Sequence, residues 1–144
     1  MRTLSLLLLL AAAACRAADT PSPPATLAVH DAWARSADSG MVTAVYFTLT
    51  NPEPQGVVLV SASSPLAESV SLHMTHEMNG MVHMMPLDSA AVPSGDSLVL
   101  AESARHLMVN GLRRKLAAGD SLPVTLQFAG GRALEVKAAV RSPY

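Results

Sequence analysis

The amino-acid sequence predicts an all-β domain built as a β-sandwich or barrel. Short stretches rich in β-branched and aromatic residues alternate with turn residues at roughly even spacing, a pattern typical of such folds. No window of the sequence carries a long helical period. Two dipeptides, Asn79-Gly80 and Gly130-Gly131, favour tight hairpins between neighbouring strands. Half of the 144 residues are apolar, which is enough for the core of one domain.

The predicted strands are short and end at turn residues. In chain order they begin near Val29 and continue at 42–50, 57–60, 70–75, 97–100, 106–109, 122–128 and 133–140. Asp31, Trp33 and Arg35 alternate along the first strand. We expect Trp33 to lie in the core and Arg35 to form an ion pair.

The N-terminus has the composition of an export signal. Residues 1–15 contain one arginine, an apolar run and then small residues, and the run is too short to span a bilayer permanently. Cys15 ends this segment, where bacterial lipoproteins carry their lipid. The alternative is ordinary cleavage that leaves Cys15 unused. Residues 16–27 are predicted to be a flexible tether, and residues 28–144 the folded domain, located in the periplasm or cell envelope.

The charge pattern and the motifs exclude several classes of function. The formal net charge is −1 and no basic stripe is present, so the sequence predicts no nucleic-acid partner. No nucleophile–base pair, phosphate-binding loop or pair of carboxylates stands out, so we do not expect an enzyme. The only predicted contact with a membrane is the lipid anchor at Cys15.

Methionine and histidine are concentrated between His73 and Met85. This window contains five of the eight methionines and three of the five histidines of the chain. Methionine specifies a packed core poorly, so packing alone does not account for this density. A hairpin centred on Asn79-Gly80 places His76 opposite His83 and makes His73 and Met84 diagonal neighbours on one face.

A second element adds two further candidate ligands. His106 and Met108 are two residues apart on a predicted strand, so their side chains point to the same side. Thioether sulfur is soft and selects Cu(I), whereas zinc sites are built from thiolate, imidazole and carboxylate. Without Cys15 the domain has no thiol, which excludes a blue-copper centre. The ligand types therefore predict a Cu(I) site.

The spacing of these residues resembles the signature of the periplasmic copper chaperones called PCuAC. That signature is a histidine, ten residues, a methionine, twenty-one residues and then His-x-Met, and His73, Met84, His106 and Met108 fall at these positions. The resemblance implies a cupredoxin-like Greek-key β-sandwich and a Cu(I) site formed by these four side chains. It also implies delivery of copper to the copper centre of a haem–copper (cytochrome c) oxidase, often beside a thioredoxin-like copper chaperone.

The sequence departs from the family in two places. Residues 102–105 read Glu-Ser-Ala-Arg, where family members usually have a Pro-Gly-Gly-type stretch. The window is also richer in ligands than the signature requires. A second, weaker site for Cu(I) or Cu(II) could form from the set His76, His83, Met74 and Met85. The alternative is a solvated face of polarizable side chains.

Three other functions stay open at this point. The chain could sequester copper for tolerance, act as a copper oxidoreductase, or be a structural lipoprotein that binds no metal. The thioethers disfavour Cu(II) and therefore count against redox cycling.

Overall fold

The computed structural model describes residues 25–142, and these residues form ten strands and no helix. The predicted export signal, Cys15 and most of the predicted tether lie outside the described residues. Among residues 25–142, no helix is long and apolar enough to cross a membrane. The strands are β1 (Ala28–Arg35), β2 (Thr43–Asn51), β3 (Val57–Ser63), β4 (Ser69–Met78), β5 (Met81–Leu87), β6 (Ala90–Val92), β7 (Asp96–Leu100), β8 (Arg105–Asn110), β9 (Ser121–Phe128) and β10 (Ala133–Arg141).

The strands form one sheet that curls back on itself. Its order is β5-β4-β8-β7-β2-β1-β10-β9-β3-β6, with additional pairings of β8 with β2 and of β4 with β3. The β3–β4 pairing joins Ala62 to Val70 and closes a circuit that runs through β4, β8, β2, β1, β10, β9 and β3. This architecture confirms the predicted all-β, cupredoxin-like fold.

The core lies inside this circuit and is filled by alternate residues of the strands. Along β9 the buried residues are Leu122, Val124, Leu126 and Phe128, and the residues between them are partly exposed. This period of two is what a strand with one buried face requires. The side chains between the buried positions of each strand therefore point to the outer face of the sheet.

The predicted hairpins are both present. Asn79 and Gly80 have φ values of 56° and 73°, the left-handed pair of a type I′ turn, and they join β4 to β5. Gly130 and Gly131 also have positive φ and join β9 to β10. Most strand predictions hold within two residues, whereas β6 was not predicted because its three residues give no periodic signal.

The prediction that Trp33 lies in the core is wrong. β1 contains a bulge between His30 and Trp33, where Asp31 has a φ of 53°. The extra residue puts Trp33 on the outer face, where its ring centroid lies 4.6 Å from that of Tyr46, and turns Ala34 into the core. The predicted ion pair of Arg35 is present, with Glu102 as its partner.

We expect truncation of Leu107 on β8 to destabilise the domain strongly. Leu107 is 1% exposed in the core, so Leu107→Ala should lower the free energy of unfolding by about 2–5 kcal/mol. Val99 on β7 is 53% exposed, and Val99→Ala serves as the control with a much smaller effect. Urea unfolding of both variants measures the difference, and equal losses would contradict the assigned core.

Candidate metal centre

The pairing register of β4, β5 and β8 brings the candidate ligands onto one outer face of the sheet. His73 on β4 lies directly opposite His106 on β8, and their ring centroids are 6.0 Å apart. On the other side of β4, Thr75 is the direct partner of Met84. Met84 is therefore the diagonal neighbour of His73, as the hairpin predicts.

Met108 follows His106 on the same face of β8. It lies opposite Ser71 of β4 and Ala44 of β2. Because direct partners in an antiparallel pair project to the same side, this face continues onto β2. Tyr46 occupies the next position of that face, with its ring centroid 6.4 Å from that of His106.

Three of the four candidate ligands line a single cavity of about 300 Å³. Met84, His106 and Met108 contribute to its wall, and His73 stands beside His106. The remaining wall consists of Arg35, Ser36, Val42, Thr43, Ala44, Tyr46 and Glu102. His106 is 3% exposed and Met84 is 55% exposed, so the group is shielded at one end and open at the other.

The comparisons with known proteins identify the family of the chain. Residues 27–140 match the family described as "Putative lipoprotein LpqE-like". The chain belongs to the LpqE-like family. It is 36% identical over 126 residues to "Putative lipoprotein Lxx21020" of Leifsonia xyli subsp. xyli, covering 86% of this chain and 75% of that protein. It is 32% identical over 130 residues to "Uncharacterized protein RP573" of Rickettsia prowazekii, with 84% and 72% covered.

Solved structures show that this LpqE-like domain has the fold of PCuAC domains. The solution structure of CuI-DR1885 from Deinococcus radiodurans is 33% identical, covers 88% of this chain and 84% of its own, and superposes with a TM-score of 0.61. The copper-bound PCuAC domain from PmoF2 has a TM-score of 0.68 over 85% of this chain and 97% of its own. At 18% identity the latter comparison shows the fold alone. Together, these two structures confirm the predicted resemblance to PCuAC.

The hydrogen bonds of the LpqE-like domain distinguish the two nitrogens of each histidine ring. His106 Nδ1 lies 3.3 Å from the carbonyl oxygen of Ala104, which can only accept, so Nδ1 carries the proton and Nε2 keeps its lone pair. His73 Nε2 lies 3.0 Å from Ser71 Oγ, and its buried Nδ1 has no partner. Nδ1 of His73 and Nε2 of His106 are therefore the atoms available to an ion.

The dimensions and ligand types of this group fit a soft metal ion. Metal–imidazole bonds are about 2.0–2.1 Å long, so ring centroids 6.0 Å apart are compatible with one ion between His73 and His106. Among residues 25–142, no group of three or more histidine, cysteine, aspartate or glutamate side chains is arranged to hold a metal. A metal at this face would therefore depend on the thioethers.

The surroundings of His73 favour its neutral form. Burial, and secondarily the charge of His106, lower the pKa of His73. Glu102 forms an ion pair with Arg35 at the cavity wall, and this hydrogen bond raises the pKa of the Arg35 guanidinium. Burial raises the pKa of Tyr46, which keeps its phenol protonated.

Sequence reasoning missed Tyr46, Arg35 and Glu102 as neighbours of the candidate ligands. Tyr46 reaches the site through the pairing of β2 with β8, which no local spacing reveals. Glu102 belongs to the segment that departs from the usual family pattern. The backbone N–H of Thr75 donates to the Ala104 carbonyl at 3.0 Å, which holds that segment against β4.

The other predicted group lies on the opposite face of the β4–β5 hairpin. His76 is the direct partner of His83, and Met74 is the direct partner of Met85. The ring centroids of the two histidines are 5.8 Å apart. None of these four side chains lines the cavity of Met84, His106 and Met108.

We expect the stability of the copper-free domain to fall with pH in a way that depends on His73. Because folding lowers its pKa, the unfolded chain binds more protons below the ordinary value near 6.5. The stability that neutral His73 contributes to the folded domain is intact above that pH. It is lost as the pH falls towards the pKa of His73 in the folded state. Urea unfolding of metal-free protein at pH 7.5 and pH 5 should show a larger decrease for wild type than for His73→Gln. Equal decreases would contradict the assignment.

Proposed function

We propose that this chain is an extracytoplasmic metallochaperone that binds Cu(I) through His73, Met84, His106 and Met108. The observation that carries the proposal is the shared cavity of Met84, His106 and Met108, with His73 beside His106 on the same outer face. Two imidazoles and two thioethers form a neutral, soft ligand set, which favours Cu(I) over harder ions.

The orphaned nitrogen of His73 supports a bound ion at this face. Buried polar atoms normally have a hydrogen-bond partner, and His73 Nδ1 has none. An ion between the two rings would satisfy this atom and the lone pair on His106 Nε2. The Ser71 hydroxyl and the Ala104 carbonyl would then hold the other ring nitrogens and fix both ring orientations.

The unequal exposure of the ligands supports transfer of the ion. His106 is buried, whereas more than half of the Met84 side chain is exposed. A partner could replace Met84 as a ligand while His106 still holds the copper. The related DR1885 structure is described as the CuI form, and the PmoF2 domain as copper-bound, so copper is the cargo that the relatives support.

We infer that the chain acts in the cell envelope and hands copper to a haem–copper oxidase subunit. The name lipoprotein, carried by the family and by the Leifsonia relative, supports a lipid anchor at Cys15 after export. The PCuAC resemblance supports the oxidase as recipient and a thioredoxin-like copper chaperone as a second partner. This function requires no catalytic residue.

The metal site is tested by titration with Cu(I) against a competing chelator. Loss of a single residue that hydrogen-bonds to a metal ligand typically lowers metal affinity about 10–100-fold. The Met84→Leu, Met108→Leu double variant removes two ligands, so its affinity for Cu(I) should fall by at least about 100-fold. Met41→Leu is the matched control, since Met41 is an exposed methionine outside the cavity wall. Equal affinities for the double variant and the control would remove these thioethers from the site.

Delivery is tested by deleting the gene in its own bacterium. We expect oxidase activity to fall under copper limitation and to return with wild type or Met41→Leu, but not with the Met84→Leu, Met108→Leu variant. Intact oxidase activity together with copper sensitivity would show sequestration in place of delivery. Rapid oxidation of ascorbate by the copper-loaded protein would instead indicate a copper oxidoreductase.

A further inference from the structure

The inner face of the β4–β5 hairpin carries a ladder of histidine and methionine pairs. Three successive cross-strand pairs form this His/Met ladder: Met74 with Met85, His76 with His83, and Met78 with Met81. Direct partners have Cβ atoms about 4.5–5.5 Å apart, and successive pairs on one face are about 6–7 Å apart. The histidine pair therefore has a methionine pair on either side, within reach of long side chains.

Packing does not explain the composition of the His/Met ladder. The core ends at the row formed by Leu72 and Leu107, and beyond Met74 no strand other than β5 pairs with this part of β4. Three of the four methionines are accordingly exposed, with Met78 at 55%, Met81 at 59% and Met85 at 48%, whereas Met74 is partly buried. Apolar side chains that face water contribute little to folding, so the stability of the domain does not require thioethers here.

The central histidine pair has the geometry of two metal ligands, and one of its ring nitrogens has no hydrogen-bond partner. The rings of His76 and His83 are 5.8 Å apart and inclined by 29°, close to the arrangement of His73 and His106. His76 Nδ1 is buried and has no hydrogen-bond partner. A buried ring nitrogen without a partner is costly, and a metal ion between the rings would satisfy it.

We propose that the His/Met ladder is a second Cu(I) site, with His76 and His83 as the imidazole ligands and the flanking methionines as thioether ligands. Imidazole alone would also bind Cu(II) and Zn²⁺. The thioethers make the site selective for Cu(I). The site shares no ligand with the group formed by His73, Met84, His106 and Met108. Each chain thereby carries two copper ions, bound on opposite faces of one hairpin.

The second ion is bound more weakly than the first. Three of its four methionines are exposed to water and neither of its histidines is fully buried, whereas the first group includes the buried His106. Ligands held by surrounding packing lose less conformational freedom on binding than ligands that move freely in solvent. The second ion should therefore exchange faster and respond more to competing chelators.

The second site is tested by the stoichiometry of Cu(I) bound to the full domain under anaerobic conditions with a chromophoric chelator. Wild type should bind two ions per chain, and the His76→Gln, His83→Gln double variant should bind one with the affinity of the stronger wild-type site. His30→Gln on β1 is the matched control and should still bind two, because His30 is exposed and far from the ladder in the strand order. In NMR spectra of protein labelled at the methionine methyl groups, the second equivalent of Cu(I) should shift the methyl resonances of Met74 and Met85.

Two results would overturn this second site. Wild type could bind a single ion, or the His76→Gln, His83→Gln variant could retain both. The Met84→Leu, Met108→Leu variant separates this inference from the proposed function, since it should lose the stronger ion and keep the weaker one. Retention of the stronger ion by the histidine variant also shows that the variant is folded.

Discussion

The candidate metal centre depends on the pairing register of β4 with its two neighbours. Side chains alternate between the faces of a strand, so a slip of one residue would move His73 into the position of Leu72 and bring Met74 to the outer face. The type I′ turn at Asn79-Gly80 fixes the register on the β5 side, and the row of buried leucines fixes it on the β8 side. Backbone hydrogen bonding, more than any single ligand, therefore determines which donor atoms meet.

The parts of the site that lie within one hairpin or one strand could be predicted from the sequence. The Asn79-Gly80 turn defines which residues face each other, and the spacing of His106 and Met108 places both on one side of a strand. The pairing of β8 with β4 joins distant segments, and only the family spacing pointed to it. Trp33 was misplaced because a bulge changes the alternation without leaving a clear mark in the sequence.

The electrostatics of the candidate site are compatible with the proposed Cu(I) cargo. The candidate ligands carry no formal charge when both histidines are neutral, and the one carboxylate at the cavity wall, Glu102, is paired with Arg35. Tyr46 stays protonated because its burial disfavours the phenolate. An ion at this face would thus keep its own charge uncompensated, which is compatible with release to a partner that supplies anionic ligands.

The exposure of Met84 has a chemical consequence beyond access for a partner. A thioether in contact with solvent is open to oxidation, and its sulfoxide presents a hard oxygen in place of a soft sulfur donor. Such damage would lower the capacity of the chain for monovalent copper while leaving its fold intact, because Met84 contributes nothing to the core. If the chain carries copper outside the cytoplasm as proposed, oxidants such as peroxide would shorten its working life, and repair would require methionine sulfoxide reductases.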